Sequence, residues 1–216
     1  MQKKIFSISV IFFFTCWIFA QNQNATPQVA PIIEKLLDKY QTISSISIHF
    51  NMEMKNNSTI IQNLKGMIHV KNEKYYLTFD DVIMANDGKM IWNYQKSINE
   101  VSFFDTKEDD FSIFPPTKML QNWNKEFDAK FIREEEMQKK QRIIVDLKPK
   151  KQSSFYKIRL VIDKSTSYIH QIIMYEPDNT TITYTITKFT PNATIADAQF
   201  IFNKNDYPHV QINDMR

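Results

Sequence analysis

The sequence predicts one mainly β domain, with roughly ten or eleven antiparallel strands in a wide barrel or half-barrel and two short helices. Three observations predict it. Ile46, Ile48, Phe50, Met52 and Met54 alternate with Ser47, His49, Asn51, Glu53 and Lys55, the period-two pattern of a half-buried strand. The stretch VIMANDGKMIWNY, from Val82 to Tyr94, sets two apolar runs around Asn86-Asp87-Gly88-Lys89, residues that accept positive φ at little steric cost, and so reads as a hairpin. Finally, strand patterns succeed one another across short polar turns without intervening helices, which argues against a parallel α/β sheet.

Taken in order, the chain begins with Lys3 and Lys4, an apolar run from Ile5 to Phe19, and small Ala20 before a polar segment. That is the pattern of a secretory signal peptide over residues 1–20, cleaved near Ala20, leaving residues 21–216 as a single domain. Cys16 is the one cysteine, but Phe13-Phe14-Thr15 makes a poor lipid-attachment motif. Without disulfides, the mature chain depends on its hydrophobic core. Removing Lys3 and Lys4 from 27 basic residues leaves 25 against 24 acidic ones, a formal charge of +1. So small a charge predicts no nucleic-acid or anionic-membrane partner.

Ile32, Ile33, Leu36, Leu37 and Tyr40 recur at helical spacing, predicting an amphipathic helix from Pro31 to Thr42 with Pro31 in its first turn. Strands follow at Ile46–Lys55, Gly66–Lys71 and Tyr75–Phe79, then the central hairpin and Val101–Phe104. Thr106 to Asp110 reads as a loop. The prolines of Phe114-Pro115-Pro116-Thr117 lead a second short helix through Met119, Leu120 and Trp123. Strands resume at Phe127–Phe131, and the charged run Arg133–Arg142 reads as a solvated hairpin tip. The remaining strands are expected at Ile143–Leu147, Ile158–Ile162, Ile169–Tyr175, Thr181–Phe189, Phe200–Phe202 and Val210–Ile212.

Catalytic signals are missing. The four histidines fall in separate segments at no metal-ligand spacing, and His49 and His69 take the polar parity of their strands, so both are expected to be exposed. Two glycines leave no phosphate-binding loop or nucleophile elbow. The acidic pairs Asp80-Asp81 and Asp109-Asp110 are sequence neighbours, which point to opposite faces of a strand. No catalytic residue, metal or cofactor is expected. What the chain holds instead is apolar surface: 17 Phe, 10 Met, 9 Tyr and 3 Trp. An incompletely filled sheet with a helical cover would leave space for an acyl chain.

The order of features then matters. An apolar leader, a helix with Tyr40 near its end, a strand carrying Phe50, Gly66-Met67-Ile68-His69-Val70-Lys71, Asp87-Gly88-Lys89-Met90-Ile91-Trp92-Asn93-Tyr94, a proline-led middle helix, Leu147-Lys148-Pro149-Lys150, and Phe200-Ile201-Phe202 followed by the closing Val210-Gln211-Ile212-Asn213-Asp214-Met215-Arg216 together resemble the LolA family of periplasmic lipoprotein carriers. The resemblance implies an open β-barrel covered by an α-helical lid. It implies a monomeric periplasmic carrier that takes triacylated lipoproteins from an inner-membrane release complex (LolCDE-type) and delivers them to an outer-membrane acceptor (LolB-type) or directly. Alternatives on the same fold are a carrier of another lipid and a lipid-sensing regulatory domain.

On that reading the acyl cavity is expected to be lined by Phe50, Met52, Ile68, Val70, Leu77, Phe79, Met90 and Trp92, and the lid by Leu36, Leu37, Met119 and Leu120. Parity makes these inward positions without separating cavity wall from packed core. One residue departs from the family pattern. An arginine that tethers the lid in well-studied members is replaced by Asn72, so that closure relies on other contacts or on Lys71.

Overall fold

A computed structural model of the chain describes residues 26–106 and 119–216. The expected leader over residues 1–20, most of the loop up to Asp110 and the proline-led start of the second helix lie outside the described residues.

The first helix, α1 (Thr26–Gln41), begins earlier than periodicity suggests, which places Pro31 in its interior. A proline there removes one i→i−4 hydrogen bond. Packing sustains the helix: Val29, Ile33, Leu36 and Tyr40, spaced four, three and four apart, are all buried. Met119 and Leu120 are helical, and the short helix α2 (Trp123–Glu126) follows with Trp123 buried.

Among the described residues, twelve strands form one sheet: β1 (Ser45–Asn56), β2 (Thr59–Lys71), β3 (Lys74–Phe79), β4 (Val82–Asn86), β5 (Met90–Gln95), β6 (Glu100–Asp105), β7 (Phe127–Met137), β8 (Lys140–Pro149), β9 (Lys157–Asp163), β10 (Ile169–Tyr175), β11 (Thr180–Pro191) and β12 (Gln211–Asp214). Their order is β12-β6-β5-β4-β3-β2-β1-β11-β10-β9-β8-β7, so β1 sits mid-sheet and joins two meanders. Each neighbouring pair is antiparallel except β12 with β6, which is parallel. The edge strands β7 and β12 do not pair with each other, so the barrel is open.

In a chain so poor in glycine, other residues supply the left-handed turn positions. The β1–β2 turn places Asn57 and Ser58 at φ 46° and 71°, and the β7–β8 turn places Gln138 and Lys139 at 53° and 61°. Two consecutive positive φ values match the strand twist, which sets the register of both hairpins. At the β4–β5 turn Gly88 has φ 89°, the Asn86 Oδ1 accepts its N–H at 2.7 Å, and the Asp87 Oδ1 accepts those of Lys89 and Met90.

Three expectations are corrected here. Phe200–Phe202 is not a strand: Asp197–Phe200 is a 3-10 turn within a segment that crosses the sheet before β12. The tip reading of Arg133–Arg142 holds only for its centre, because the run extends β7 and β8 and Arg142 is buried in an ion pair with Asp163. His69 is half-buried and its Nδ1 lies 3.0 Å from the Gln199 Oε1.

Candidate functional site: the lid-covered face

Strand register divides the side chains into two faces with different covers. On the inner face one row crosses the first meander as Ile48, Ile68, Leu77, Met84, Asn93 and Ser102, each directly opposite the next. A neighbouring row runs Phe50, Gly66, Phe79, Val82 and Gln95. On the other side of β1, Met52 faces Tyr184, which continues to Ile172, Leu160 and Val145. Helix α1 places Val29, Ile33, Leu36 and Tyr40 in the same core, with Leu120 and Trp123 beside them.

Of the expected site residues, Phe50, Met52, Ile68, Val70 and Leu77 are buried in this core and Phe79 packs against it half-exposed. From the lid, Leu36 and Leu120 are fully buried, while Leu37 and Met119 are half-buried at the margin. The structure therefore brings ten of the twelve positions together. Met90 and Trp92 are the exceptions and are corrected. Trp92 lies opposite Ala85 and Phe103, on the other side of the sheet from Leu77 and Met84. There it packs beneath the C-terminal segment, with ring contacts to Phe202 at 5.6 Å and Tyr207 at 6.2 Å, and its indole N–H donates to the Phe200 carbonyl at 2.9 Å. Met90 shares that parity.

Phe50 owes its position to Gly66, which lies directly across from it. With no side chain on Gly66, the far edge of the phenyl ring fills the space where a Cβ would stand and meets Tyr184 edge-on at 5.8 Å. An aromatic ring covering a facing strand glycine replaces the packing that the glycine lacks. Gly66, Tyr184 and Met84 were missed as site residues, although Gly66 was recognisable as an isolated strand glycine.

The lid is attached at its C-terminal end. Tyr40 is buried edge-on against the Tyr168–Phe189 pair, 5.7 Å from each ring, and its hydroxyl accepts the Ile169 N–H at 3.3 Å. Burial pushes the Tyr40 hydroxyl pKa well above the usual phenol value. A cavity of about 80 Å³ remains beside this joint, lined by Tyr40, Ile43, Ile46, Val70 and Asn72 among others. Asn72 takes φ 55° in the β2–β3 turn, a conformation that asparagine tolerates better than most residues. Lys71 does not substitute for a lid tether. It points to the outer face, where its Nζ donates to the Ile195 carbonyl and pairs with Asp197 at 3.2 Å.

The outer face of the second meander sets charged pairs around the buried Ile144 and Val161. Arg159 holds Asp146 through two hydrogen bonds of 2.7 and 2.9 Å. Beside it, burial works to raise the Asp163 carboxyl, but hydrogen bonds from Ser165 and Thr166 and the charge of Arg142 outweigh it and hold the pKa at about 2. Among the described residues no cluster of His, Cys, Asp and Glu could hold a metal, and no helix is long and apolar enough to cross a membrane.

Comparison with known proteins supports the same fold. The uncharacterized protein MJ0687 of Methanocaldococcus jannaschii is 24% identical over 209 residues, covering 92% of this chain; the chain spans about half, 56%, of that relative. An uncharacterized conserved protein from Thermus thermophilus superposes with a TM-score of 0.58 at 10% identity, over 84% of this chain and 98% of that one. The Mycobacterium tuberculosis lipoprotein LppX superposes at 0.50 and 13% identity, over 79% and 98%. A sequence model described as outer membrane lipoprotein carrier protein LolA matches residues 41–203, and over that span, with the open sheet and helical cover described above, the chain belongs to the LolA family.

Proposed function

We propose that this protein is a periplasmic, non-enzymatic carrier that holds the acyl chains of lipoproteins between α1 and the inner face and moves them from the inner to the outer membrane. A secretory leader over residues 1–20 would direct it there. The observation that carries this reading is that an amphipathic helix, and not a further strand, covers the inner face, its buried side chains Val29, Ile33, Leu36 and Tyr40 completing the core.

The magnitudes favour exchange. Four such side chains contribute about 6–12 kcal/mol of burial at about 1.5–3 kcal/mol each, and an acyl chain with about 14 methylenes contributes about 11 at about 0.8 each. Replacing the helix by one chain is thus close to balanced, and movement of the lid needs no covalent chemistry or external energy at this protein. An inner-membrane release complex would load the cargo, and an acceptor or the outer membrane itself would take it.

Mass spectrometry of solvent extracts from the protein, gently purified from its own periplasm, tests the proposal. Diverse triacylated N-terminal peptides are expected. A single lipid of another class would replace the lipoprotein assignment with carriage of that lipid, and a reproducibly empty protein would overturn the carrier reading.

A further inference from the structure

The apolar row Ile48–Ile68–Leu77–Met84 ends at Asn93, and there the inner face changes chemistry. The Asn93 Oδ1 is fully buried and accepts no hydrogen bond among the described residues. Its cross-strand neighbours supply no donor. Met84 has none, and the Ser102 hydroxyl donates to the Glu100 Oε1 at 3.4 Å. Along β4 on the same face, the Asn86 Oδ1 is taken by the Gly88 N–H, so the two asparagines are not equivalent. Met84 itself packs into the core that α1 completes, so Asn93 adjoins the surface that an acyl chain would occupy.

A buried acceptor without a donor is destabilising, and most buried polar atoms in folded proteins are paired. An apolar side chain of similar volume would avoid this penalty, since Asn93 makes no turn, cap or ion pair. We propose that Asn93 is a ligand-recognition residue whose Oδ1 accepts the N–H of an amide-linked acyl group, so that the site prefers N-acylated ligands over ligands acylated only through esters. An ester has no hydrogen to donate and leaves the Oδ1 unpaired in the complex as well. The assignment rests on the carrier reading and adds to it a chemical class: the N-acyl amide as the polar mark read within an otherwise apolar site.

The test compares N-palmitoylglycine with its ester isostere, O-palmitoyl glycolate, by calorimetry on the folded protein. The amide is expected to bind about tenfold more tightly, as a neutral hydrogen bond to an otherwise unpaired buried group allows. In Asn93→Leu the ester affinity should be retained and the preference lost. Equal affinities in the unmodified protein, tighter binding of the ester, or a preference that survives Asn93→Leu would each overturn the proposal. If neither probe binds, the carrier reading fails and this assignment with it. Should Asn93→Leu not fold, Asn93→Ala takes its place, and the comparison in the unmodified protein decides without any variant.

Discussion

Replacing Gly66 by alanine tests the pairing that positions Phe50 on the inner face. A Cβ at residue 66 would lie 2.7 and 2.9 Å from the Cε2 and Cε1 of Phe50, and closer still to Cζ, all inside van der Waals contact. The ring has little room to retreat, because Phe50 is 4% exposed and also packs against Tyr184. Overpacking of this kind costs about 1–3 kcal/mol. Against it, alanine restricts the unfolded chain and recovers about 0.4–1 kcal/mol where the backbone accepts it, and Gly66 has no positive φ to forbid this. The net expectation is a loss of about 0.5–2 kcal/mol, which for a domain of this size lowers Tm by about 1–8 °C. Thermal unfolding followed by circular dichroism measures it. The same change made in a Phe50→Leu background removes the clash and should raise stability relative to Phe50→Leu alone. An equal loss in both backgrounds, or a gain with Phe50 present, would refute the packing argument.

Other expectations follow from the two faces. Leu37→Glu places a carboxylate at the half-buried margin of α1 and should weaken binding of a fluorescent fatty acid about tenfold, whereas Lys139→Ala at the exposed β7–β8 turn should stay within about twofold; matching affinities would move the site away from the lid. Trp92→Phe removes the donor to the Phe200 carbonyl and should cost about 1–3 kcal/mol in urea unfolding while leaving that affinity unchanged. A loss of affinity at full stability would return Trp92 to the binding face. For Asp163, whose carboxyl is held at about 2, below its ordinary value of 3.8, the folded form binds its proton more weakly than the unfolded one. Its contribution, on the order of 2 kcal/mol, is therefore present above pH ~4 and is lost as pH falls toward ~2. Asp163→Asn should be less stable at neutral pH, and the difference from the unmodified protein should narrow across that acidic window; a constant difference would exclude the linkage.

Much of this was legible from residue order. Alternation identified β1 and β9 to within one residue at each end, and Asn-Asp-Gly identified the central hairpin, because both signals are local. The stripe on α1 named Leu36 and Tyr40 before any partner was known. Local signals failed where a distant segment decides the outcome. Arg142 reads as part of a charged run, yet it is buried through Asp163, 21 residues away. Phe200 and Phe202 read as a strand, yet they form a crossing that covers Trp92, and their apolarity serves packing on the outer face.

By itself, then, the sequence determined the strand and helix types, the turns, and which side chains share a face, because these follow from backbone sterics and a period of two. Only the tertiary structure decided which face each set meets. Met90, Trp92 and Tyr94 are one set in any register, but alternation is symmetric about the strand, and nothing local distinguishes its two sides. The register of β5 against β4 turns Asn93 toward the lid-covered face and Trp92 toward the C-terminal segment, whose aromatic side chains and Phe200 carbonyl supply the contacts that an indole needs.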